Sequence, residues 1–124
     1  MMLNKFYVLL SGATSNPDED NTALVRDYLR NGVISFEECL GVYKGECEVS
    51  FCALADDFGA VGDLLRLAKN CDQESIMVVD ARNKAFLIYC DDCRIESLGQ
   101  MFQSENCVSY DSYTLLNGIY YYTI

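Results

Sequence analysis

The stretch GVYKGECEVSF, residues 41–51, decides how the rest of the chain is read. It has the form of a strand end, a tight connection over Lys44–Glu46 and a new strand, with Gly45 supplying the turn. Residues 37–43 and 47–54 are therefore expected to form a hairpin. In its second strand Val49, Phe51 and Ala53 point inward, and Glu48, Ser50 and Cys52 take the other face. A hairpin needs the glycine and little else. This one also carries Tyr43, Glu46 and Glu48 around Cys47.

Upstream, KFYVLLS (5–11) is β-rich and nearly all apolar, the pattern of a central strand buried on both faces. SNPDEDNTALVRDYLRNG (15–32) reads as a helix with Asn16 as N-cap, Pro17 in the first helical position, acids in the first turn, and Arg30 and Gly32 at its end. Its apolar stripe is Leu24, Val25, Tyr28 and Leu29. Downstream, a second helix over about Asp57–Asn70 packs through Val61, Leu64, Leu65 and Ala68. SIMVVD and AFLIYC follow as strands around the turn Arg82–Lys84, and LLNGIYYYTI adds an edge strand or packs on a neighbouring subunit.

This order, β-α-β-β-α-β with strands appended, predicts an α+β, ferredoxin-like βαββαβ sandwich in one domain, residues 1–124. Its antiparallel sheet carries both helices on one face. The other face then needs a cover, which predicts an oligomer whose sheets pack together.

Nineteen acidic against nine basic residues give a net charge of −10, which repels phosphate backbones and anionic membrane surfaces. No nucleic-acid or membrane partner is expected. The same field favours a cationic ligand, or a DNA-binding partner deceived by an acidic surface. The early apolar run Phe6–Leu10 is too short for a secretory signal, so a cytoplasmic location is expected. Seven cysteines at irregular spacing fit a reducing compartment without disulfides.

The chain has no histidine, which excludes Ser-His-Asp and Cys-His catalysis and imidazole metal sites. Neither a Walker loop nor G-x-G-x-x-G occurs, so the common phosphate cradles are missing. DEDNTALVRDYL lacks the sixth-position glycine and twelfth-position glutamate of a calcium loop. Cys90 and Cys93 have zinc-ribbon spacing but lack an evident second pair, so they read as ordinary thiols; no metal and no cofactor are expected. The tyrosines of GIYYYTI read as an edge strand or subunit contact, because the charge opposes a base-stacking platform. What remains is Tyr43, Glu46 and Glu48 at the turn, with Gln73 and Glu74 before the fourth strand. By residue type alone a solvated hairpin tip explains the first three.

An ordered set of short pieces resembles the phage S-adenosylmethionine (SAM) lyases, also called SAM hydrolases. The pieces are FYVLLS followed by Ser15-Asn16, Tyr43-Lys44, Glu46 three residues before Val49, LRLA at 65–68, and DQESIMVV. The resemblance covers roughly residues 6–100 and implies a homotrimer of PII-like (GlnB-like) sandwiches with active sites between subunits. It implies a reaction that needs no histidine: the carboxylate of SAM attacks its own γ-carbon, releasing 5′-methylthioadenosine and homoserine lactone. By the same resemblance Glu46 takes the substrate ammonium and Tyr43 lies near the sulfonium. Gln73 and Glu74 are candidates for ribose or amino-acid contacts, and Ser11 and Gly12 for close backbone approach to adenosine. Glu48, two residues from Glu46 on the same strand face, is the reserve for the glutamate role. Starving restriction–modification methylases of their methyl donor is the implied biological role.

Three alternatives remain at this level: activation of a water by Glu46 to give homoserine directly, an acidic DNA mimic acting against restriction enzymes, and a non-catalytic PII-like sensor of an adenosine ligand.

Overall fold

The computed structural model describes residues 5–13, 20–32 and 34–123. The elements run β1 (Phe6–Leu10), α1 (Thr22–Asn31), β2 (Phe36–Tyr43), β3 (Glu46–Ala55), α2 (Phe58–Asn70), β4 (Ser75–Val79), β5 (Lys84–Tyr89), β6 (Ile95–Ser104), β7 (Tyr113–Leu116) and β8 (Ile119–Thr123). All strand pairs are antiparallel, and the sheet closes on itself in the order β1-β3-β2-β7-β8-β6-β5-β4.

The ferredoxin-like, PII-like sandwich is thereby overturned: the described residues form a closed eight-stranded barrel with two helices outside it. Strands β6 to β8 make the difference. The residues after Cys93 form three strands, and β7 pairs with β2 through Leu40↔Leu115 to seal the ring. The sheet face that was expected to need a partner subunit for cover is turned inward and enclosed by the chain's own strands.

The helix-facing side of the sheet forms the core. Val8 and Leu10 of β1, Phe51, Ala53 and Ala55 of β3, and Ile76 and Val78 of β4 pack against Val25 and Leu29 of α1 and Val61, Leu64, Leu67 and Ala68 of α2. Each of the larger side chains buried here contributes about 1.5–3 kcal/mol. Leu24 and Tyr28 stay 52% and 41% exposed, so the stripe of α1 is narrower than its spacing suggests. Asn16 and Pro17 lie outside the described residues; the described helix begins at Thr22, with Asn21 in the cap position. The second helix is capped by Asp57, whose Oδ1 accepts from the Ala60 N–H at 2.8 Å.

The β2–β3 hairpin turns through two residues, Lys44 (φ 51°) and Gly45 (φ 82°), with Tyr43 paired to Glu46. Two successive positive φ values define the mirror-image turn that matches strand twist. The β7–β8 hairpin uses the same device at Asn117 (φ 51°) and Gly118 (φ 79°). No helix among the described residues is long and apolar enough to cross a membrane.

Candidate functional site

Side chains alternate across a strand, so residues between the core positions point into the barrel. In β1 that is Leu9, in β3 Glu48 and Ser50, in β4 Ser75 and Met77, and in β5 Leu87 and Tyr89; all of these line one cavity of about 560 Å³. An eight-stranded barrel is wide enough for packed side chains or one small ligand. This volume falls inside the roughly 300–1,000 Å³ usual for ligand pockets.

Strand alternation also gathers the polar residues at one rim. The ends of β1, β2, β5 and β8 and the starts of β3, β4, β6 and β7 meet there, bringing Ser11, Tyr43, Glu48, Glu74, Tyr89 and Glu96 to the same opening. The floor is apolar, with Leu9, Met77, Leu87, Leu98 and Met101. A bulge between β5 and β6, where Ala85 faces Gly99 and Phe86 faces Ser97, re-phases β6 so that Glu96, Leu98 and Met101 share the inner wall.

Electrostatics single this cavity out. Three carboxylates, Glu48, Glu74 and Glu96, line it, and no lysine or arginine does among the described residues. The Glu48 carboxyl is raised above the usual range, first by desolvation against the cavity wall and then by the Glu46 charge. Tyr43, 61% exposed, borders the opening, and the Lys44 ammonium lies 5.2 Å from its ring centroid. A cation therefore already rests within about 6 Å of this ring, the range of cation–π attraction.

The sequence candidates divide as follows. Tyr43, Ser11, Gln73 and Glu74 line the cavity; Glu46 and Gly12 do not. Glu46 sits at the hairpin tip, exposed, on the same strand face as Glu48 but further out. Ser11 is buried and occupied: its hydroxyl donates to Val49 O at 2.8 Å and accepts from Ala13 N at 3.0 Å, locking β1 to β3. Gly12 serves helix entry. A Cβ there would lie 2.5 Å from the Asn21 carbonyl carbon, and its own carbonyl accepts from Asn21 N at 2.8 Å. Gln73 Nε2 donates to Ala13 O at 2.8 Å, tying the loop after β1 to the α2–β4 junction.

Several lining residues escaped the sequence reading. Gly41 faces Glu48 across the hairpin, and a Cβ on it would meet Ser50 Oγ at 2.7 Å, so the glycine makes room for that hydroxyl. Ser112 accepts from Lys44 N at 3.3 Å and Asp111 O from Gly45 N at 3.0 Å, which fastens the hairpin tip to the segment before β7. Tyr89 and Glu96 form a hydrogen-bonded pair on the wall opposite Glu48. Strand alternation alone carried the signal for Tyr89; Glu96 lay where periodicity gave out.

No group of three or more cysteine or acidic side chains is placed to hold a metal ion among the described residues. Cys90 is buried and Cys93 exposed.

Fold and site together define a β-barrel protein with a ligand-sized, anionic cavity suited to a cation. A sequence model of the S-Adenosylmethionine lyase family matches residues 8–124, and the chain belongs to that family. SAM, whose sulfonium and ammonium are both cationic, is the substrate that gives the family its name. No curated protein matches the chain.

Proposed function

We propose that the chain degrades SAM inside the barrel by intramolecular C–S cleavage. The observation that carries this reading is a cavity of about 560 Å³ lined, among the described residues, by three carboxylates and no basic residue, in a member of the SAM lyase family. The substrate carboxylate oxygen forms a bond to the γ-carbon while the C–S electron pair leaves with sulfur. The products are neutral 5′-methylthioadenosine and homoserine lactone. Atoms and charge balance without a base, a metal or a water.

The protein's part is to bind, curl and dry the substrate. Opposite charges cancel as the bond breaks, so replacing their hydration by a fixed apolar floor favours the transition state, and holding carboxylate and γ-carbon together supplies orientation. Tyr43 at the rim meets the sulfonium with its ring. Glu48, on the cavity wall, takes the ammonium in a charge-assisted hydrogen bond, and Glu46, further out on the same face, adds attraction during entry. Glu74 faces the nucleoside or amino-acid portion from the β4 side.

Assembly as a homotrimer belongs to the same reading. Leu40, Val49 and Phe102 on the outer barrel wall, 36%, 44% and 41% exposed, support a contact between copies. Withholding methyl donor from restriction–modification methylases is the biological consequence proposed, resting on the resemblance to phage enzymes.

The test is incubation of purified protein with SAM and chromatography at short times. Methylthioadenosine with lactone ahead of open homoserine is the expected result; no methylthioadenosine, or no effect of Glu48→Gln on its formation, would overturn the proposal.

A further inference from the structure

The cavity has two polar walls, and the function proposed above uses only one of them fully. In the strand order of the barrel, β3 and β2 stand across the ring from β6 and β5. Glu48 and Tyr43 hold the first wall; Tyr89 and Glu96 hold the second. Between the walls lies the apolar floor of Leu9, Met77, Leu87 and Met101.

The second wall is built with some care. Tyr89 donates its hydroxyl proton to Glu96 Oε1 at 2.6 Å. The Arg94 guanidinium stacks on the Tyr89 ring, 4.1 Å from its centroid, and Tyr89 N donates to Arg94 O at 2.9 Å. The next residue, Cys90, donates its N–H to Glu74 O at 2.9 Å, anchoring the end of β5 to the start of β4. Tyr89 is thus held by its ring, its backbone and its hydroxyl. That bond raises the Tyr89 pKa, so the phenol stays neutral and remains a donor. Glu96 Oε2 accepts no hydrogen bond among the described residues.

A carboxylate fixed on one oxygen and open on the other, set beside an apolar surface, suits a vicinal diol next to a flat heterocycle. Carboxylates recognise ribose hydroxyls in this way because an ionised oxygen makes a stronger acceptor than water. We propose that Glu96, positioned by Tyr89, binds the ribose hydroxyls of the substrate's nucleoside half, while the Glu48 wall takes the sulfonium half. The barrel then reads the two ends of its substrate on opposite walls. This inference rests on the SAM-degrading reading.

Two partial probes separate the walls: 5′-methylthioadenosine, a product that carries the ribose but no charge, and S-methylmethionine, a substrate-like sulfonium without a nucleoside. Calorimetric titration of the wild-type protein, Glu96→Gln and Tyr89→Phe is expected to show methylthioadenosine binding about tenfold weaker in both variants, the worth of one hydrogen bond to a charged acceptor. S-methylmethionine binding is expected to stay within about twofold, since its wall is untouched. Removing the 2′-hydroxyl from the nucleoside probe is expected to cost the wild type affinity and to cost Glu96→Gln almost none, a loss of coupling that a merely structural role would not produce.

Equal loss of both probes, or unchanged methylthioadenosine binding in the two variants of a protein that turns over SAM, would overturn the assignment of Glu96 alone. A wild-type protein that leaves SAM intact would overturn the underlying reading and this one with it.

Discussion

Tyr43 and Glu46 face each other across the two-residue turn Lys44–Gly45, and Glu48 follows on the same face of β3 with Gly41 opposite it. All three side chains are exposed, but Tyr43 and Glu48 line the cavity and Glu46 does not. The two glutamates therefore have separable consequences. Glu48→Gln is expected to lower kcat/KM by about 10- to 100-fold, the worth of a hydrogen bond between charged groups. Glu46→Gln should lower it less, with a loss that shrinks as salt is raised, because a rim charge acts through the screened field. Steady-state kinetics at two ionic strengths decide between this order and its reverse.

Acid inhibition follows from the same geometry. Glu48 holds a cation only when ionised, and desolvation together with Glu46 raises its pKa. Binding of SAM is therefore expected to weaken, on lowering the pH, earlier than for an ordinary glutamate. Removing the Glu46 charge should move that acid limb to lower pH, and Glu48→Gln should abolish it. The sign for stability is opposite to that of a salt-bridged acid. A carboxyl raised in the folded state costs stability once ionised, so this cost is absent at low pH and grows as pH rises through the raised pKa. Glu48→Gln is accordingly expected to raise the melting temperature at neutral pH relative to wild type, with the difference fading below the ordinary glutamate range.

The space beside Glu48 is set by Gly41. Its missing side chain is where Ser50 Oγ sits, 2.7 Å from an added Cβ. Gly41→Ala is expected to push Ser50 into the cavity and raise KM several-fold with only about 1–3 kcal/mol lost in stability, the usual cost of overpacking. Gly12→Ala is expected to cost a similar amount of stability by displacing the Asn21 backbone at the start of α1. KM should hold in that variant, because Gly12 does not line the cavity. Chemical denaturation and kinetics of both variants check the contrast.

Thiol accessibility tests the barrel itself. Burial pushes Cys39 up to about 12 and Cys52 to about 11, while Cys47, Cys93 and Cys107 are exposed. A disulfide reagent at neutral pH is expected to label the three exposed cysteines quickly and the remainder only on unfolding. Rapid labelling of Cys39 in the native protein would mean that the β2–β7 seam is open.

Strong local signals made much of this fold readable. The hairpin at Lys44–Gly45, the helix capped by Asp57, and the apolar runs of β1, β4 and β5 are all set by neighbours in sequence. Closure was not, because it depends on long-range pairing. Ile95–Ser104 is mostly exposed and mixes polar with apolar residues, with a bulge that breaks its alternation, so β6 has almost no periodic signature. Asn117-Gly118 was a visible turn signal whose second strand, IYYYT, pairs with β7 across the turn and also with Met101–Ser104, 16 or more residues upstream. Missing β6, and reading the β7–β8 hairpin as one edge strand or a subunit contact, misassigned one face of the sheet: Glu48 and Ser50 turn toward the barrel interior, and a face expected to need another subunit lines a cavity. The site was legible in the same uneven way. Residue type and family likeness drew attention to Tyr43 and the paired glutamates, but which glutamate reaches the interior depended on where the barrel begins.

The central claim is that SAM supplies its own nucleophile, and the fate of water oxygen tests it most directly. The reaction is run in oxygen-18 water and the homoserine is fragmented in the mass spectrometer. Attack by the substrate carboxylate, followed by ordinary opening of the lactone at its acyl carbon, predicts the label in the carboxylate and none in the γ-hydroxyl. Label in the γ-hydroxyl would mean that water attacked the γ-carbon, and would contradict the account.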